Sequence, residues 1–308
     1  MQRSTVLEYK NYRYLKAASL LVLFAVMAYL FGQPATGDYG GSWLGYLFGI
    51  LSTVIVIVLG LYGVRKRLAP MRAERRNLSN ASTTSQNVQN RRKREANWWR
   101  FHGATLQGWL SAHIYMGASL IVLATLHAGF QFGWNIHTLS YVLMMIVIMS
   151  GCYGTYAYLR YPRLMTNNMV GTDTFDSLLL EIDELDKQAS VKSLQFSDDI
   201  CTLILKSRQE TIIGGNLFQQ LTAYQRNCPT TQAERQLQVL GKSLEYDQLK
   251  SFDDLYLIVS HKETLVKRAR LDVMYRARME FWLYLHAPFS IAFLAALIAH
   301  IVAIFFYW

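Results

Sequence analysis

Residues 101–159 read FHGATLQGWLSAHIYMGASLIVLATLHAGFQFGWNIHTLSYVLMMIVIMSGCYGTYAYL, a run without a single Asp, Glu, Lys or Arg. A transmembrane helix needs about 20 apolar residues to cross about 30 Å of hydrocarbon, so this stretch is too long for one helix. It divides at Gln131-Phe-Gly-Trp-Asn-Ile-His137, where polar and turn-forming residues interrupt the apolar run. Spans are expected near Gly108–Phe130 and Thr138–Leu159.

Three other segments, 17–37, 39–64 and 281–308, are equally free of charge. They predict spans near Ala17–Gly32, Trp43–Val64 and Phe281–Trp308. The rest of the chain holds every one of the 31 Lys+Arg and 21 Asp+Glu. Such segregation excludes a soluble globular protein, a disordered chain and a secreted disulfide scaffold. Three cysteines without a CxxC or CxxCH spacing leave no iron–sulfur signature and no covalent haem attachment. The first span follows a short basic region, and without a convincing small-x-small cleavage site it reads as a retained signal anchor.

Orientation follows from the basic residues of the short connections. Eleven Lys or Arg lie in 65–107 against Glu74 and Glu95, whereas 33–42 and 131–137 hold none. The expectation is an integral protein of a bacterial inner (cytoplasmic) membrane, with the N-terminus and 65–107 cytoplasmic and the C-terminus outside. Arg268, Arg270, Arg276 and Arg278, just before the last span, agree. The net charge of +10 is thereby explained without nucleic acid as a partner.

The chain is accordingly divided into 1–64 with two spans, a basic linker at 65–107, two spans in 108–160, a cytoplasmic insertion at 161–278 and a last span at 279–308. The linker contains Asn77–Asn90, which is polar and poor in apolar residues, and is expected to be mobile. Within the insertion, Thr174–Ala189 has helical periodicity. Val191–Phe196 and Ile200–Lys206 alternate like two strands around an Asp198-Asp199 turn. Gln232–Leu240 reads as helix, as does the stretch from His261, introduced by the Ser260-x-x-Glu263 capping pattern. The predicted fold is an all-α membrane bundle of five transmembrane helices with a small α+β insertion between the fourth and fifth. No phosphate loop, dinucleotide fingerprint or catalytic triad is present in the insertion, and no catalytic residue is assigned.

Four of the seven histidines fall within predicted spans. The third span carries Trp109-Leu-Ser-Ala-His113 followed by His127; the fifth carries Trp282-Leu-Tyr-Leu-His286 followed by His300. Fourteen residues turn a helix through about 1400°, within about 40° of four full turns, and advance it about 21 Å. Each helix thus presents two histidines on one face, one near either leaflet. The third and fifth spans run in the same direction, so His113 should share a depth with His286, and His127 with His300. That is the arrangement for two non-covalent b-type haems, their irons held by His113/His286 and His127/His300. Iron with two axial histidines carries electrons rather than oxygen. Gly117, one turn after His113, and Ser290, one turn after His286, leave room for a flat macrocycle. Arg100 and Arg278, with Trp99, are candidate propionate partners of the inner haem. His102, His137 and His261 are read as solvated or interfacial side chains.

These paired histidines, flanking one intervening span, resemble the dihaem core of cytochrome b in quinol-oxidising bc complexes. They are also similar to the haem-bearing membrane domain of ferric reductases and NADPH oxidases. The resemblance covers the third to fifth spans and implies transmembrane electron transfer. The Pro-Glu-Trp-Tyr quinol motif of the first family is absent, and no flavin- or nicotinamide-binding domain of the second is found in these residues. Donor and acceptor chemistry is therefore expected in quinone or in partner subunits: a soluble cytoplasmic protein docked on 161–278 and an extracytoplasmic c-type cytochrome or similar carrier. Transport of metal, haem or protons through the histidines is the alternative, weakened by the lack of an intramembrane carboxylate. A haem-based membrane sensor is another, though the insertion carries no signalling motif.

Overall fold

The computed structural model describes residues 6–32, 41–81, 105–169, 174–241 and 246–306, with the backbone alone for 64–81, 106 and 246–248. Nine helices form in these residues: α1 (Arg13–Phe31), α2 (Trp43–Ala81), α3 (Leu106–Ala128), α4 (Ile136–Asn168), α5 (Phe175–Ser193), α6 (Asp198–Gln209), α7 (Leu217–Thr222), α8 (Pro229–Leu240) and α9 (Tyr246–Phe306). Five of them, α1–α4 and α9, contain segments long and apolar enough to cross a membrane. The chain divides into two compact units, residues 1–152 with 288–308, and residues 153–287.

In the first unit the long charge-free run breaks where the sequence breaks. The Thr105 hydroxyl accepts the Gly108 amide to start α3, and Gly129 ends it with φ at 56°, its N–H returning to the Leu126 carbonyl. A left-handed residue at this position costs glycine nothing. The chain then restarts at Asn135, whose Oδ1 accepts the Thr138 amide at 2.9 Å. Ahead of α1, Tyr9 is buried and the Tyr115 hydroxyl donates to the Leu7 carbonyl at 3.1 Å, fixing the entry of the chain on α3.

α3 packs against both α1 and α2. Ala25, Phe48, Leu120, Leu123 and Met144 are buried in one cluster, whereas Leu20, Phe24, Ile50 and Ile298 face outward. In lipid an outward leucine is at no disadvantage, so burial alone does not drive these helices together. Close packing at small residues does. Ala18, Ala25, Ser111 and Ser119 are buried and let the backbones approach.

The second unit is held by two apolar clusters along the first part of α9. Leu178, Ile182 and Leu185 of α5 meet Leu265, Val266 and Ala269. Further along, Ala189, Ile200, Ile204, Ala233 and Leu237 surround Phe252, Leu255 and Val259. Between them a buried ammonium, Lys262, donates to the Asp186 carboxylate and to the Ser207 carbonyl and hydroxyl.

No strand is present among the described residues, so the α+β insertion is corrected to an all-helical one. α5 continues through Val191 to Ser193, and Ile200–Lys206 lies in α6. Ile200, Ile204 and Ser207 are buried at intervals of four and three, a helical stripe that short alternation conceals. Asp198 and Asp199 occupy the first turn of α6, with Lys206 and Arg208 in its last turn. Each charge complements the helix dipole, so the aspartate pair is a helix start rather than a hairpin turn. The start of a helix at His261 is likewise corrected. α9 runs unbroken from Tyr246, the Ser260 hydroxyl donates to Glu234 at 3.3 Å, and Glu263 accepts from Thr231 at 3.2 Å. Residues three apart share a helix face, and here they reach across to α8 instead of capping. The backbone of α2 remains helical into the Asn77–Asn90 stretch as far as Ala81; the rest of that stretch lies outside the described residues.

Candidate functional site

His127 lies in the last turn of α3, His137 in the first turn of α4, and His300 near the end of α9. In the first unit the three rings meet. Ring centroids lie 5.3 Å apart for His127 and His137, 6.1 Å for His127 and His300, and 4.8 Å for His137 and His300. One nitrogen from each lies within 4.8 Å of the other two, and all three residues are half-buried.

The ring of His127 is oriented by the facing helix α2. Its Nδ1 lies 2.7 Å from the Gly45 carbonyl oxygen. A carbonyl only accepts, so Nδ1 carries the proton and Nε2 keeps its lone pair for a metal. Histidine ligands are commonly fixed by such a second hydrogen bond. Gly49, one turn further along α2, passes directly under the ring: a Cβ there would stand 2.7 Å from His127 Cε1. His137 Nδ1 and His300 Nε2 are 3.4 Å apart, close enough for one to donate to the other.

Beside the three rings lies an apolar cleft of about 390 Å³, walled by Gly49, Leu120, Ala124, Phe293 and Leu297. A second hollow of about 580 Å³, lined by Tyr46, Gln131 and Asn135, adjoins the same histidines. Three imidazoles from three helices beside an apolar cleft form a donor set that could hold a metal ion or a metal-bearing cofactor.

The other predicted ligands sit in different units. In the first unit, His113 packs against Tyr62 with centroids 5.2 Å apart, and among the described residues a Cβ on Gly117 would meet only Leu59, at 3.8 Å. In the second, Trp282 stacks on His286 at 5.0 Å with the rings inclined by 28°. That stacking gives the tryptophan of the W-L-x-x-H pattern a local purpose. Arg278 Nε donates to the Leu221 carbonyl at 2.8 Å. Arg100 and His102 lie outside the described residues. His261 is exposed, 3.7 Å from Glu181.

His137 is the residue that sequence reasoning missed; it packs into the cluster instead of standing solvated. The signal was available. A short connection between neighbouring helices returns the chain to the depth it left, and Asn135 marks the restart two residues before His137. The chain matches no protein-family model, no curated protein and no solved structure.

Proposed function

We propose that this chain is a dihaem b-type membrane subunit that conducts electrons across the bilayer within a larger oxidoreductase. The observation that carries the reading is the meeting of His127 and His300 beside an apolar cleft, with His127 held so that Nε2 is free to ligate. The inner pair, His113 with His286, rests on the equal fourteen-residue spacing and common direction of the two spans. A haem held by such imidazoles would supply one-electron exchange at its iron. The protein's own part is to fix the imidazoles: the Gly45 carbonyl sets the tautomer of His127, and Trp282 sets the plane of His286. The donor is a cytoplasmic protein or quinone and the acceptor extracytoplasmic, or the reverse. The resemblance to cytochrome b and ferric reductase cores, and the cytoplasmic N-terminus inferred from the basic residues, belong to the same proposal.

Purified full-length protein should show a reduced-minus-oxidised b-type spectrum and about two non-covalent haems per chain. His127→Ala and His300→Ala should each remove the same haem, and His113→Ala and His286→Ala the other. Absence of haem after haem-replete expression, or a crossed pairing, overturns the reading.

A second reading is favoured by one observation, the approach of His137 to the other two rings. Three imidazoles and an open fourth position suit zinc or copper. Metal analysis separates the two: stoichiometric zinc or copper lost in His137→Ala supports the metal centre, whereas haem retained in that variant supports the dihaem reading.

A further inference from the structure

In the second unit the segment from Ile212 to Tyr224 climbs α9 toward its apolar half. Arg270 donates to the Ile212 carbonyl through Nε at 3.1 Å and Nη2 at 2.8 Å. Arg278, eight residues and about 12 Å further along the helix, donates to the Leu221 carbonyl at 2.8 Å. Charge ends at Glu280, so α7 is pinned within about 5 Å, measured along the axis, of the start of the apolar run.

α7 is short but firmly built. Asn216 and Gln219 cap its start reciprocally, the Gln220 amide donates to the Gly215 carbonyl at 2.9 Å, and Ala223 closes it in the left-handed region. None of its residues is buried. Leu217 is 58% exposed, Phe218 69% and Tyr224 61%, an apolar group that in water would gain nothing from this display. The stripe of α9 above Arg278, three and seven residues on, is Phe281 and Leu285, and both are exposed. Residues three and seven apart share a helix face, so α7 lies below a surface that faces lipid, not below a packed interface.

We propose that α7 and Tyr224 form a membrane-surface foot, with Leu217, Phe218 and Tyr224 resting in the headgroup–acyl boundary of a phospholipid bilayer. The occupant follows from continuity with the lipid-facing surface of α9 and from the side chains themselves. Leucine and phenylalanine enter the boundary layer with their apolar bodies, and tyrosine is favoured where one end is apolar and the other wet. Arg226, exposed beside them, is placed for lipid phosphate. The foot fixes the tilt of the insertion against the membrane. It rests on the assignment of residues 281–306 as a span and is independent of haem.

The test uses the full chain in phosphatidylcholine–phosphatidylglycerol vesicles, with p-benzoylphenylalanine in place of Phe218, Tyr284 or Leu194 in separate proteins. Tyr284 is 77% exposed on the apolar part of α9 and reports lipid contact by the span itself. Leu194 is equally exposed at 76%, but two residues on Phe196 packs against Phe252, which lies about 44 Å below Phe281 along α9. Irradiation should give a phospholipid adduct by mass spectrometry at positions 218 and 284 and none at 194. A lipid adduct at 284 without one at 218, or a crosslink from 218 to a second copy of the chain, overturns the foot while sparing the span. No lipid adduct at 284 overturns the span and the foot together.

Discussion

His127 Nδ1 lies 2.7 Å from the carbonyl oxygen of Gly45, and the ring so held leaves no room for a side chain on Gly49. A Cβ at residue 49 would approach Cε1 to 2.7 Å and Nδ1 to 2.9 Å. In an open helix Gly→Ala gains about 1 kcal/mol; here the gain is set against displacement of a pinned imidazole. On the dihaem proposal, Gly49→Ala should reduce haem content from about two to about one per chain, with the remaining spectrum matching that of His127→Ala. Unchanged haem content would mean that the ring is not held where the ligand must stand.

Gly154 stands to Trp282 as Gly49 stands to His127. A Cβ there would overlap the indole of Trp282, which stacks on His286. Gly154→Ala should therefore act through the tryptophan and remove the haem lost in His286→Ala, leaving that of His127. Trp282→Phe, which keeps an aromatic plane but frees space, should restore binding in the Gly154→Ala background. A spectrum of the double variant no better than that of Gly154→Ala would sink this link.

Lys262 predicts a different kind of loss. Its side chain is 2% exposed and its partner Asp186 11%, with the ammonium also held by the Ser207 carbonyl and hydroxyl at 2.8 and 3.0 Å. Removing one member of a buried pair typically costs about 3–5 kcal/mol, while replacing both with apolar groups of similar size is far milder. Lys262→Met should lower the thermal midpoint of the full chain, followed by circular dichroism, and the addition of Asp186→Leu should recover most of the loss. Haem spectra should be unaffected in both. A double variant no better than the single one would show that the pair's value lies in its bonds to Ser207.

The apolar spans and the fourteen-residue histidine spacing were legible because they are one-dimensional properties: charge-free length and helical phase survive without knowledge of neighbours. The break at 131–137 was visible for the same reason. What the sequence hid were relations across helices. Ile200, Ile204 and Ser207 satisfy a helical stripe, yet over seven residues the same letters alternate as a strand would, and only packing on Phe252, Leu255 and Val259 decides. Ser260 and Glu263 have the spacing of a cap but serve Glu234 and Thr231 of the α8 region. His137 sits outside the repeat that singles out the other histidines, and its place beside His300 depends on two helix ends meeting.

Cys228 gives a pH dependence with a definite sign. Burial alone would raise its thiol, but hydrogen bonds from Thr231 and the nearby Arg270 guanidinium outweigh burial and hold it below its ordinary value of 9.0. Arg270 Nη2 lies 3.2 Å from the sulfur. A group that ionises more readily in the folded state binds fewer protons there than in the unfolded state, so stability rises with pH across the interval between the two values. The contribution is complete above the unfolded thiol's value and is lost as pH falls through the folded one. Cys228→Ser cannot ionise and should lack it. The difference in thermal midpoint between wild type and Cys228→Ser should therefore move in favour of wild type as pH rises to the ordinary thiol value of 9.0, with Arg270→Met reducing that movement. A difference that stays constant across the interval would mean that the sulfur remains protonated, and that Arg270 is held at this point by the Ile212 carbonyl alone.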